Sequence, residues 1–180
     1  MAVNDDKKWF HNFSNSQKKD SKHQDVFKSF DFSYNDVFST CYSIKFTQSD
    51  TVFIKQYFSA SSDTVKGNTT YYALLPNADR AKFDSLIKRI KFSIFDTLYY
   101  QDYSDGIDYQ FYYDNDTIQK RIRIHSNNAP EKLIDLKDWI VNAKQSLRLY
   151  RLDTAIGFES AKFFLPPTIP PPILKKRRLK

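Results

Sequence analysis

A chain of 180 residues is long enough for one domain with a hydrophobic core and short for two. Its net charge is +7, its three glycines are too few for a phosphate-binding loop, and its single cysteine, Cys41, excludes an intrachain disulfide. The three histidines, His11, His23 and His125, lie far apart and lack the spacing of metal ligands. We therefore expect no cofactor and no bound metal.

The basic charge is concentrated at the C-terminus. Five of the last six residues are cationic, namely Lys175, Lys176, Arg177, Arg178 and Lys180, and removing them from the net +7 leaves +2. A duplex-binding domain usually spreads its basic residues over a folded face instead. We predict an extended, proline-rich basic tail over residues 166–180 that serves as a solubilising terminus. Contact with a polyproline-reading groove, acidic lipid or nucleic acid is the alternative role for this tail.

Residues 1–35 are polar, mixed in charge and punctuated by aromatic side chains, which predicts an N-terminal arm that docks loosely on the body of the protein. The first residues lack the apolar region of a signal peptide, and no window approaches the roughly 18 apolar residues of a membrane span. We expect a cytoplasmic protein as written, and an exported or envelope-associated protein if a leader has been removed.

A single α+β domain is predicted over residues 36–165. Alternating apolar residues on both sides of Ser49–Asp50 indicate a hairpin, and a two-residue turn pairs Phe46 with Phe53 and Tyr42 with Tyr57, which makes one face aromatic. Residues 69–75 indicate a third strand.

Two helices are predicted from their apolar spacing. The first follows Asn77, a good N-cap, and the second has Pro130 in its first turn. Their apolar stripes are Phe83, Leu86, Ile87 and Ile90 in the first helix, and Leu133, Leu136, Ile140, Ala143 and Leu147 in the second.

The stretch from Gly106 to His125 predicts a second hairpin. Its two halves alternate apolar with polar residues, and Asn115 and Asp116 tolerate the positive φ of a tight turn. Counting outward from these two residues gives a register in which the apolar faces match and Asp108 pairs with Arg123. The same counting surrounds Lys120 with apolar side chains, as it does Lys55, and we interpret both as snorkelling lysines rather than desolvated nucleophiles.

These elements predict an antiparallel sheet of about five strands, formed by two hairpins and one further strand, with two amphipathic helices on one face. The polar face of the second hairpin carries Tyr112, Arg121, Arg123 and His125. Such a strip can bind single-stranded nucleic acid, but we favour a solvated sheet face in which Asp108 neutralises Arg123. The segment 149–164 predicts an edge strand or a strap across the body.

Several short motifs resemble an uncharacterised family of small bacterial proteins. They are the strand entry SYND through FSTCYSI, the FDSLIKRIKF helix, the DTIQKRIRI strand, the APEKLIDLKDWI helix and the proline-rich end, which together cover about residues 33–175. That family has no assigned activity, so the resemblance implies this arrangement of elements and no site residues.

No catalytic constellation is visible, which favours a non-enzymatic binding domain with an unknown protein partner, such as a small immunity-type or cell-envelope-associated protein. A nucleic-acid binder that uses the basic strip and tail is the first alternative. The second alternative is a metal-assisted hydrolase using loop aspartates, namely Asp96, Asp102, Asp105, Asp108, Asp114 and Asp116.

Overall fold

The computed structural model describes residues 27–36, 40–57, 69–102 and 106–162. Within these ranges, eight strands form one sheet: β1 (Ser29–Asn35), β2 (Cys41–Phe46), β3 (Thr51–Tyr57), β4 (Thr69–Leu74), β5 (Leu98–Tyr100), β6 (Asp108–Asp114), β7 (Gln119–His125) and β8 (Tyr150–Leu152). The helices are α1 (Asn77–Arg89) and α2 (Glu131–Ser146), and short 3₁₀ turns span Phe92–Ile94 and Glu159–Ala161.

The order of strands is β5-β7-β6-β1-β2-β3-β4-β8. All neighbours are antiparallel except β5 and β7, which run parallel. The α+β class is therefore confirmed, but the sheet is mixed and larger than the predicted five strands. Two of the additional strands, β5 and β8, contain only three residues each. β8 lies within the segment 149–164 that was predicted as an edge strand or a strap.

β1 lies in the middle of the sheet, between β2 and β6. The structure thus places residues 29–35 in the core of the domain rather than in the predicted N-terminal arm. Phe30 and Phe32 are fully buried on one face, and Asp31 and Ser33 are fully buried on the other. Polar residues that alternate with aromatic ones favoured an arm, whereas both faces of this strand are covered. The remainder of the predicted arm, residues 1–26, lies outside the described residues, as does the predicted tail over 166–180.

Both helices pack on the same face of the sheet, as predicted. Phe83 of α1 stacks on Phe46 of β2 with ring centroids 4.0 Å apart, and Trp139 of α2 lies 5.5 Å from Phe83. The apolar stripes of both helices join this core through Ile87, Leu133, Leu136 and Ile140. We call this side of the sheet the helix face and the other side the polar face.

The predicted register of the β2–β3 hairpin is wrong by one residue. Phe46 lies opposite Val52, and Tyr42 lies opposite Gln56, because the loop is longer than a two-residue turn. An odd shift exchanges the faces of a strand, since neighbouring side chains point to opposite sides. Val52 and Ile54 therefore enter the core, while Phe53, Lys55 and Tyr57 lie on the polar face. This exchange creates much of the surface described below.

The register of the β6–β7 hairpin differs from the prediction by two residues. Tyr109 lies opposite Ile124 and Tyr113 opposite Lys120, because four residues rather than two connect the strands. An even shift preserves the faces, so the predicted apolar side does face the core. The predicted positive φ occurs at Asp116, whose φ is 66°. Lys120 is half-buried at the loop end of the hairpin.

A proline precedes each helix, and neither helix has a side-chain N-cap. Pro76 is the N-cap of α1 and Pro130 that of α2, so Asn77, the predicted cap, is instead the first helical residue. Among the described residues, no helix is long and apolar enough to cross a membrane.

Candidate interaction surface

The polar face of the sheet carries carboxylate, hydroxyl and amide side chains, which are the kinds of group that catalytic and binding sites use. Strand alternation places Asp31, Ser33, Ser43 and Gln110 on this face, yet all four are buried. The cover is the segment 156–162, which we call the strap. The polar face consequently has three parts: the β6–β7 side, the centre under the strap, and the side formed by β3, β4 and β8.

Asp31 fastens the strap to the middle of the sheet. Its carboxylate accepts hydrogen bonds from the backbone N–H groups of Glu159 (3.0 Å) and Ser160 (2.7 Å). Burial raises the pKa of Asp31, an effect opposed by the hydrogen bonds from Ser160 and Glu159 and by the charge of Lys45. Lys45 also donates to the carbonyl of Gly157 at 3.0 Å, so it contacts both Asp31 and the strap.

A chain of hydroxyl groups continues this polar cluster. The Oγ of Ser33 lies 2.8 Å from the Oγ of Ser160 and 2.6 Å from that of Ser43, which in turn lies 3.0 Å from the Tyr57 hydroxyl. Each hydroxyl can donate one hydrogen bond and accept two, so the hydroxyl groups of the neighbouring strands and of the strap can serve as hydrogen-bond partners for one another. The cluster has the composition of a reactive site, but its hydroxyls lie under the strap and no histidine takes part in these contacts. We interpret it as a structural cluster that holds the strap on the sheet.

Gln110 lies beside this cluster, opposite Ser33 on β1 and Arg123 on β7. It is almost fully buried, and neither its amide oxygen nor its amide nitrogen has a partner among the described protein atoms. Buried amides are usually hydrogen-bonded, which makes this side chain a candidate for solvation by an internal water.

The structure brings the predicted strip together on the β6–β7 side. Arg123 forms the predicted ion pair with Asp108 at 2.7 Å, although the register sets Gln110 rather than Asp108 directly opposite it. Arg121 lies 3.5 Å from Glu159 of the strap. Arg121 also covers the ring of Tyr112, and the His125 ring stacks on that of Tyr100 at 5.5 Å. Both arginines therefore already contact carboxylates, which weakens their attraction for an anionic ligand.

The loop aspartates do not gather into a metal site within the described residues, where no three His, Cys, Asp or Glu side chains could share an ion. Asp108 contacts Arg123, and Asp116 contacts Lys28. The carboxylate of Asp114 accepts a hydrogen bond from the backbone N–H of Asp116. Asp105 lies outside the described ranges. Metal-assisted hydrolysis stays a prediction, and no carboxylate cluster in the described part of the chain supports it.

Cys41 is buried at the start of β2. Burial, followed by the nearby charges of Asp36 and Asp108, raises the pKa of its thiol to about 12. Since the thiolate is the nucleophile, these surroundings favour an inert cysteine.

The open side of the polar face carries a group that sequence reasoning missed. We call it the aromatic–cationic surface, and it consists of Phe53, Lys55, Tyr72, Arg148 and Tyr150. Strand pairing sets Phe53, Tyr72 and Tyr150 in one row across β3, β4 and β8. The rings of Tyr72 and Tyr150 stack at 5.3 Å with an interplanar angle of 23°, and the Arg148 guanidinium lies 5.3 Å from the Tyr150 ring.

Exposure and charge distinguish this surface from the β6–β7 side. Tyr150 is 40% exposed, Arg148 is exposed, and Phe53, Lys55 and Tyr72 are half-buried. Neither Lys55 nor Arg148 forms an ion pair with a carboxylate in the described part of the chain. The alternation around Phe53 could have revealed the surface if the hairpin loop had been assigned its true length.

An open groove adjoins the aromatic–cationic surface where β4 and β8 meet the start of the strap. Its volume is about 410 Å³, and it is lined by Lys55, Thr69, Thr70, Arg151, Leu152, Asp153, Thr154, Ala155 and Ile156. The single carboxylate in the lining, on Asp153, pairs with Arg151 at 3.3 Å. Lys55 is thus the cation of the groove that has no acidic neighbour in this lining.

Comparison with known proteins identifies no family for this chain: no protein-family model, curated protein or solved structure matches it. The resemblance to small bacterial proteins stays a prediction.

Proposed function

We propose that this protein is a binding domain without catalytic chemistry, and that it recognises its partner through the aromatic–cationic surface. The observation that carries the proposal is the division of the polar face into covered and open parts. The strap covers the centre and carboxylates meet the arginines of β7, whereas Lys55 and Arg148 stand beside accessible rings without such neighbours. Tyrosine, phenylalanine and arginine are the residues that interfaces use most.

The charge of this surface favours an acidic partner. An acidic face of another protein satisfies this requirement, as expected for an immunity-type or envelope-associated protein that neutralises or binds a neighbour. Nucleic acid is the second candidate, since its phosphates and bases match cations that stand beside aromatic rings.

Charge reversal on the full chain tests the proposal. Purified protein is titrated at low salt with three acidic probes: poly-L-glutamate, heparin and a labelled thymidine oligonucleotide. At least one probe should bind, and binding should weaken as salt is raised. The double variant Lys55→Glu with Arg148→Glu should weaken that binding about 10-fold or more, because each substitution turns an attraction into a repulsion.

The matched control reverses the same number of charges on the helix face. Lys88 and Arg89 are exposed in the last turn of α1, so Lys88→Glu with Arg89→Glu changes the net charge equally. If none of the three probes binds, or if this control weakens binding as much as the surface variant, the proposal is incorrect.

A further inference from the structure

We infer that the partner of the aromatic–cationic surface is a single-stranded nucleic acid, with a phosphate of the strand in the adjoining groove and a base on the Tyr72–Tyr150 pair. The inference rests on the proposed function and adds the chemical class of the ligand. Two independent features of the surface carry it, one for the phosphate and one for the base.

The groove has the donors that a phosphate requires. Lys55 and Thr70 both line it, and the β3–β4 register sets them opposite each other on the polar face. A lysine ammonium supplies a point charge, and the threonine hydroxyl can donate to a phosphate oxygen. Asp153 opposes this attraction weakly, since its partner Arg151 already lies 3.3 Å away and both side chains are well exposed. An acidic peptide could use the same donors, so the groove alone does not select the ligand.

The row of aromatic rings distinguishes a nucleic acid from an acidic peptide. Tyr72 and Tyr150 stand on neighbouring strands as a stack of two rings, and Phe53 follows in register on the next strand. Planar bases gain stacking energy on such rings, whereas the side chains of an acidic peptide are not planar ring systems and gain much less. Arg148 beside Tyr150 adds a guanidinium that can contact either a base plane or a phosphate.

The two features are close enough to serve one short strand. Thr70 and Tyr72 stand two residues apart on the same face of β4, which is about 7 Å along a strand. A phosphate in the groove therefore leaves the neighbouring base beside the tyrosine pair. The ligand must be single-stranded, because stacking between neighbouring base pairs hides the base faces in a duplex, and among the described residues no helix projects from this surface to enter a groove.

The test compares polymers that share a phosphate backbone and differ in bases. Fluorescence anisotropy measures binding of the full chain to three labelled strands of 15 nucleotides each. They are a thymidine strand, a uridine strand and an abasic deoxyribose-phosphate strand. We expect the base-bearing strands to bind about 10-fold more tightly than the abasic strand. Tyr72→Ala and Tyr150→Ala should each remove about 5-fold or more of the affinity for base-bearing strands, and leave abasic binding unchanged.

Two further variants keep the result interpretable. Tyr150→Phe retains the ring and should bind the thymidine strand within about 2-fold of the unmodified protein, which separates stacking from a general loss of structure. Tyr100→Ala removes an exposed tyrosine from β5 at the far edge of the sheet, and it should leave affinity unchanged.

Each contrary result has a distinct meaning. If poly-L-glutamate binds at this surface and the base-bearing strands do not, or if the abasic strand binds equally well, the nucleic-acid inference is incorrect while the proposed function stands. If Tyr100→Ala weakens binding and Tyr150→Ala does not, the ligand lies on the β5–β7 side and the inference is again incorrect. If no acidic polymer binds, the proposed function fails as well.

Discussion

At the scale of single residues, Asp31 links the central strand to the strap. It is fully buried in the central strand and accepts a hydrogen bond from the backbone of Glu159, 128 positions later in the chain. Buried carboxylates are costly unless they are hydrogen-bonded, and here the strap supplies the donors. One side chain thus joins the centre of the sheet to the segment that covers it.

We predict that Asp31→Ala destabilises the protein by about 2–4 kcal/mol, because each buried donor left without an acceptor costs about 1–3 kcal/mol. Urea-induced unfolding measures the loss, and hydrogen exchange at the Glu159 and Ser160 amides should accelerate in the variant. Asp50→Ala, at an exposed position in the β2–β3 loop, is the control and should change stability by less than about 0.5 kcal/mol. Equal stability of the two variants would disprove the role of Asp31.

The pH dependence of stability provides a second prediction at Asp31. Burial raises its pKa above the ordinary 3.8, so the folded state binds a proton at a higher pH than the unfolded state. The stabilisation due to this proton is complete below pH 3.8 and is lost as pH rises through the folded pKa. The unmodified protein should therefore gain stability relative to the Asp31→Asn variant as pH falls toward 3.8. If its relative stability stays constant or falls, the raised pKa of Asp31 is contradicted.

The sequence revealed individual side-chain environments only where they depend on near neighbours. The ion pair between Asp108 and Arg123 joins adjacent strands of one hairpin and was predicted, although the structure sets the two residues diagonally rather than directly opposite each other. The contacts of Asp31 and Ser33 with Ser160 cross more than 120 positions and left no local signal. Because distant parts of the chain bury these polar residues, their composition alone resembled that of a solvated arm.

At the scale of elements, loop length decided which strand faces were predictable. The β6–β7 loop exceeds a two-residue turn by an even number of residues, so its faces were predicted although its register was wrong. The β2–β3 loop shifts the register by one residue and exchanges the faces, which moved Phe53 and Lys55 to the polar side. Turn residues alone could not distinguish these lengths, since Ser, Asn and Asp occur in loops of both kinds.

The contact between α1, α2 and β2 gives the prediction at this scale. Phe83 is fully buried between Phe46 and Trp139. Phe83→Ala should reduce the free energy of unfolding by about 3–5 kcal/mol through lost burial and the resulting cavity. Lys82→Ala, one residue earlier and exposed, is the control, with an expected change below about 0.5 kcal/mol. Similar denaturation midpoints for the two variants would show that the helices do not pack as described.

At the scale of the whole molecule, the described residues form three layers: two helices, one sheet, and the strap over the middle of the opposite face. The helix face and the two helices of the described residues followed from apolar periodicity, which is the strongest local signal. An edge strand or a strap was predicted for residues 149–164, and the structure forms both there, as β8 and the strap. Their positions on the sheet could not be predicted, because those positions depend on tertiary contacts. The aromatic–cationic surface arises from this arrangement, since the strap covers the centre and β8 adds Tyr150 beside Tyr72.

The most direct test of the central claim is to map the bound surface residue by residue. Amide chemical shifts of the full chain are followed by NMR during titration with the 15-residue thymidine strand. The account predicts that the largest shifts fall on β3, β4 and residues 148–152, with Lys55, Tyr72 and Tyr150 among them. Shifts confined to Arg121, Arg123 and His125, shifts confined to the helices, or no shifts at all would contradict it.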